Sequence, residues 1–134
     1  MLILSGCREV RVKSYATGIT HVSGGNAIVV VRSDRELAHL GISSPVRFDH
    51  EFGVVLLMGP HDGSGWRQVV EAIHASPESV RVVAYERGPL DGGDLVRRYR
   101  TYTLWIIPNS IYRPGSVVEV VTPSNTYVAS TQLP

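Results

Sequence analysis

Two histidines stand beside carboxylates in this chain: His50 between Asp49 and Glu51, and His61 before Asp62. With His74 they are the side chains best suited to hold a metal or move a proton. No two of them have the i, i+4 or alternate-residue spacing that puts two imidazoles on one face for a single ion. The spacing therefore predicts solvated loop histidines, with no metal and no cofactor. Asp62-Gly63-Ser64-Gly65-Trp66 offers a serine between glycines after an apolar run, but not the G-x-S-x-G spacing of a nucleophile elbow. A small hydrolase using His61 and Asp62 is thus the lowest-ranked reading. The same segment, Gly59 to Gly65, fails as a phosphate cradle, because no Lys follows it and Asp62 would repel an anion. Its glycines and Pro60 predict a loop that turns sharply and presents His61, Asp62 and Ser64 at its tip.

Arg97-Arg98-Tyr99-Arg100-Thr101-Tyr102 interleaves basic and aromatic residues in the manner of single-strand nucleic-acid binders. On a strand, however, Arg98 and Arg100 share one face and Tyr99 takes the other. The pattern predicts an exposed Arg face over a buried Tyr/Leu face. Whole-chain charge agrees: 13 Lys+Arg against 12 Asp+Glu leave a net +1, without the positive excess that phosphate binding needs. Nucleic acid is not an expected partner.

The single cysteine, Cys7, excludes an internal disulfide and a Cys-cluster zinc site. Leu4-Ser5-Gly6-Cys7 has the form of a bacterial lipobox, in which the cysteine is the lipidated residue. A signal peptide also needs a basic and an apolar region ahead of that box, and only Met1 to Ile3 precede it here. Cell-envelope anchoring through Cys7 is expected if translation starts upstream of Met1, and a cytoplasmic protein otherwise. In the second case Leu2 to Leu4 begin a strand and Cys7 is a small buried hydrophobe.

These residues need elements to position them, and the composition leans to β. The 134 residues include 20 Val and 7 Ala, enough chain for one domain with a real core. Glu9 to Tyr15 alternates as a half-buried strand, and Ala27-Ile28-Val29-Val30-Val31 is a run long enough for a strand covered on both faces. Thr17 to Gly25 is polar, with Ile19 and Val22 as its strong apolar anchors. Ser33-Asp34-Arg35-Glu36 has capping-box spacing, with Leu37 and Leu40 following and Gly41 as a stop, which predicts a short helix near 34–40. Val54 to Gly59, Val80 to Glu86, Arg98 to Pro108 and Ser116 to Val121 read as strands, and Tyr127-Val128 as a further short one. Trp66, Val69, Val70 and Ile73 fall at helical spacing, yet alternation also fits a strand, so Trp66 to His74 stays open. The rhythm predicts a mainly β fold: an antiparallel β-sandwich or open barrel of about seven or eight strands with one short helix. Residues 8–129 are expected to form the domain, with 1–7 a segment ahead of it and 130–134 a tail.

The order of features over residues 46–110 resembles the C-terminal domain family of the protease complex subunit PrcB. A turn with Phe48-Asp49 leads to a strand ending at Gly59. The Gly63-Ser64-Gly65-Trp66 loop follows, then Gly88-Pro89, and last Tyr102-Thr103-Leu104-Trp105-Ile106-Ile107-Pro108. The sequence departs from the family pattern at Ser64, where a loop glycine is usual, and at Thr101 or Thr103, where a proline is usual. The resemblance implies a non-enzymatic, envelope-associated β-domain and favours a strand for Trp66 to His74. It carries Gly59, Gly63, Gly65 and Trp66 in the loop, and Tyr102 and Trp105 in the late strand, as partner-contact positions. With His61, Asp62 and Ser64 at the loop tip, these are the expected partner-binding residues.

The expected function is therefore an interaction module that binds or stabilises a protein partner, for instance a protease of the cell envelope. A chagasin-like protease inhibitor is the alternative, since such inhibitors also use a small β-sandwich with Gly-aromatic loops. The membrane enters only through a lipid anchor at Cys7.

Overall fold

The computed structural model describes residues 9–134; Cys7 and the rest of the 1–8 segment lie outside them. Eight strands follow in the order β1 (Lys13–Thr20), β2 (Ala27–Val31), helix α1 (Asp34–His39), β3 (Glu51–Gly63), β4 (Arg67–Ala75), β5 (Ser79–Arg87), β6 (Leu95–Pro108), β7 (Val117–Val121) and β8 (Tyr127–Gln132). They form two four-stranded sheets, β1-β6-β3-β2 and β4-β5-β7-β8. All pairings are antiparallel except β5 with β7, which is parallel. The sheets pack face to face as a sandwich, and β2 lies over β7 and β8.

The apolar runs are explained by this layering. Val54, Leu56 and Met58 of β3 face the second sheet and join Ile28, Val30, Phe52, Val82, Trp105 and Val120 in the main core. Val55 and Leu57 face the opposite way and pack with Val31, Leu37, Ile42 and Leu104 beneath α1 and the chain that follows it. A strand covered on both faces has no reason to alternate, so β3 reads as continuous Val and Leu. Helix α1 begins as its sequence predicts: Ser33 Oγ accepts from the Glu36 amide at 3.2 Å. Glu36 Oε1 reaches back to the Arg32 amide at 2.9 Å.

Several boundaries differ from expectation. The strand expected at Glu9–Tyr15 lies at Lys13–Thr20 and runs into the polar segment after Tyr15. Pairing with β6 supplies its backbone partners whatever its side chains are. The open segment Trp66 to His74 is a strand from Arg67 on, β4 (Arg67–Ala75), with Trp66 just ahead of it. The helical spacing of its apolar residues comes from a bulge: the register shifts between Val70 and Ala72, so Val70 and Ile73, three apart, both pack on the core. The expected tail is strand β8 followed by Leu133, which is 3% exposed. The expected loop from Pro60 to Gly65 is shorter, because β3 stays paired with β6 as far as Gly63 through two register shifts.

Candidate functional site

One long side of the sandwich is open. There the edge strand β1 of one sheet faces the edge strand β4 of the other. At one end the seam is bridged: the Val10 amide donates to the Ala75 carbonyl at 2.9 Å, an antiparallel pairing onto the free edge of β4. Beyond that bridge the seam widens into two adjoining clefts. One, about 390 Å³, is walled by Thr17, Gln68, Val70, Glu71 and Ile73. The next, about 270 Å³, is walled by Thr17, Ile19, Trp66, Arg67, Gln68 and Thr103.

The interior behind the second cleft is polar, and every group is matched. Gln68 Nε2 donates to the Leu56 carbonyl at 2.9 Å and the Thr101 carbonyl at 3.0 Å, while its Oε1 accepts from Thr103 Oγ1 at 2.6 Å. One amide thus ties β4 to β3 and β6 across the sandwich. Glu86, at the same level of β5, accepts from Thr101 Oγ1 at 2.7 Å and meets His61 Nε2 at 2.9 and 2.7 Å through its two oxygens. His61 and Glu86 side chains are only 12% and 11% exposed. This corrects the expectation that His61 is a solvated loop residue: it sits on β3, pointing between the sheets. Its partner Asp62 is exposed, on the opposite side of the strand as pleating requires. His61 and Asp62 therefore do not meet.

Trp66 closes the cluster. Its indole stacks on the His61 imidazole at 4.4 Å between centroids and 8° between planes. Its amide donates to Tyr99 Oη, which itself donates to the Gly63 carbonyl at 2.7 Å. Gly88 abuts the indole so closely that a Cβ there would lie 3.1 Å from the ring. The Gly63–Trp66 turn is further fastened to the β5–β6 connection, with the Ser64 amide on the Asp94 carbonyl at 2.8 Å and the Asp94 amide on Ser64 Oγ at 2.9 Å. Trp66 nevertheless remains 36% exposed, and Ile19 across the cleft is 52% exposed. Two large apolar side chains thus flank an open cleft on a rigid base.

The residues expected to meet a partner divide. Gly63, Ser64, Gly65 and Trp66 form the turn at the cleft, with His61 beneath it. Gly59 lies in β3 against Arg100, with its amide on Asn26 Oδ1 at 3.0 Å. Tyr102 faces the other side of its sheet, against Gly18. Trp105 is 1% exposed and belongs to the main core. Alternation along β6 turns it between the sheets, where it forms part of the floor of the larger cleft and is no exposed anchor. The expectation of an exposed Arg face on β6 is corrected as well: Arg100 is buried. Glu86, Gln68 and Ile19 were missed. Nothing in their local sequence marks them; the pairing of β4 with β5 and of β1 with β6 brings them to the seam.

Among the described residues, no three His, Cys, Asp or Glu side chains are grouped to hold a metal ion. No helix there is long and apolar enough to cross a membrane. The fold and site define a two-sheet β-sandwich with an open, aromatic-flanked seam. No protein-family model, curated protein or solved structure matches the chain.

Proposed function

We propose that the protein is a non-enzymatic interaction module that captures an extended segment of a partner protein along the free edge of β4. The observation that carries this reading is the Val10–Ala75 bridge. The chain itself already adds one antiparallel residue to that edge and, among the described residues, leaves the rest of the strand, Arg67 to Ile73, without a strand neighbour on the seam side. An edge strand presents a row of unpaired N–H and C=O groups, and strand addition satisfies them. Side chains of the incoming segment would alternate between the cleft and solvent. Trp66 and Ile19 supply the apolar anchors, and Gln68 and the His61–Glu86 pair hold the base rigid. The partner class follows from the chemistry: an extended segment with apolar residues at alternate positions, in a flexible loop or terminus; that it belongs to an envelope protease is what the resemblance over residues 46–110 implies.

Linear peptides selected by display against the protein test this reading. A selected peptide should slow hydrogen exchange at the backbone amides between Arg67 and Ile73. Trp66→Ala should weaken its binding by about 2 kcal/mol, the level of an aromatic hot spot. Peptides that protect only β2 or β8, or a selection that yields none, would overturn the assignment. Low-concentration inhibition of a cysteine-protease panel would move the reading to a chagasin-like inhibitor.

A further inference from the structure

The face of the β1-β6-β3-β2 sheet that points away from the seam carries a different feature. Arg100 of β6 is 5% exposed, yet no carboxylate pairs with it among the described residues. Its Nε donates to the Val22 carbonyl at 3.1 Å and its Nη1 to the Gly25 carbonyl at 3.0 Å. Carbonyl dipoles hold a guanidinium in place but do not neutralise it. Burial correspondingly pulls its pKa below the ordinary arginine value. The third nitrogen, Nη2, has no hydrogen-bond partner within the described chain, and no partnerless side-chain nitrogen is sealed from solvent. Nη2 therefore opens outward.

Arg100 lines a cavity of about 190 Å³ whose wall also includes His21, Gly24, Pro60, Arg97 and Arg98, with no Asp or Glu in the lining. His21 is fastened at the rim by Nδ1, 3.0 Å from the Arg98 carbonyl. The chain is built to pass this close. Gly24 has φ +148°, and a Cβ there would lie 2.7 Å from Arg100 Nη1. A side chain at residue 24 would press directly on the guanidinium. Three arginines and a histidine thus line a small concavity in a protein whose net charge is only +1. Like charges held together without counter-charge are unfavourable unless a ligand supplies one.

We propose that this cavity binds one compact oxyanion, a phosphate or a carboxylate group, with Arg100 as the fixed base and Arg98 and Arg97 closing over it. The guanidinium fork suits both, since each presents paired oxygens to parallel N–H donors. The site is on the far side of the sheet from the β4 edge, so it stands or falls independently of peptide capture.

The test is an NMR titration of the intact protein with sodium phosphate and, separately, sodium acetate, at ionic strength held constant with chloride. The signals followed are the Arg100 Nε–H group and the Gly24 amide. Saturable shifts at both positions are expected. The exposed Arg98→Gln should weaken the binding about tenfold, the loss of one charge-assisted hydrogen bond, with the fold intact. Saturation by phosphate alone assigns a phosphate-bearing ligand; equal saturation by acetate assigns a carboxylate. Shifts that never saturate, or that Arg98→Gln and Arg97→Gln both leave unchanged, would overturn the proposal. The double Arg97→Gln, Arg98→Gln variant should leave peptide capture at β4 as it was.

Discussion

The two long sides of the sandwich are built from the same kind of edge strand but to different ends. On the side where β2 lies over β8, the facing residues Ile28, Val30, Ala129 and Leu133 are buried and apolar, and the sheets close on each other. On the side where β1 faces β4, the residues at the corresponding depth are Gln68, Thr101, Thr103, His61 and Glu86, and the large apolar side chains are displaced outward to Ile19 and Trp66. The difference teaches that an edge can be kept open without instability if its polar groups satisfy one another. A dry seam would close by hydrophobic contact. A seam whose hydrogen bonds are complete has no further gain from closing, and its outer apolar residues stay available.

This contrast can be broken in several ways, beginning with the sealed side. Ile28→Ala should cost about 3 kcal/mol in urea unfolding, from lost burial and the cavity left behind. Ile19→Ala, on the open side, should fall within about 0.5 kcal/mol of the parent. Equal losses would mean that the seam is closed in solution. Gln68→Ala comes next in size. It removes the hydrogen bonds that Gln68 makes to two carbonyl oxygens and to the Thr103 hydroxyl, and a loss of about 2 kcal/mol is expected in the same measurement. Glu86→Ala should cost about 1–2 kcal/mol by removing the acceptor shared by His61 and Thr101, and Glu86→Gln should recover part of it because an acceptor oxygen remains. The smallest stability effect among the cluster residues belongs to Trp66→Ala, about 1 kcal/mol, from the lost stacking on His61. Its effect on peptide capture should exceed its effect on stability. The reverse order would make Trp66 a structural plug.

The helix at Asp34–His39 and the strands β2, β3, β5 and β7 were legible from local pattern, because a capping box and unbroken β-branched runs act over a few residues. The phase of β4 was not. A bulge near Glu71 produces the same apolar spacing as a helix, and only pairing with β5 reveals it. The site was half legible: the Gly63–Trp66 turn stood out by its glycines and tryptophan. His61 looked like a loop residue because the strand it ends is held by register shifts against β6, which leave no local trace. Trp105 was a partner-contact position only through the family resemblance; the face a strand residue takes is set by its partners, and here they turn it inward.

The sequence by itself determined a Val-rich, nearly neutral β domain with one short capped helix and a glycine-bounded turn ending in Trp66. Tertiary structure alone decided which edges meet. It buried Arg100 under two loop carbonyls, turned Trp105 inward, and joined His61 to Glu86, 25 residues away in the chain. The physical reason is range: propensity and capping are local, whereas hydrogen-bond matching across two sheets exists only once both sheets are in place.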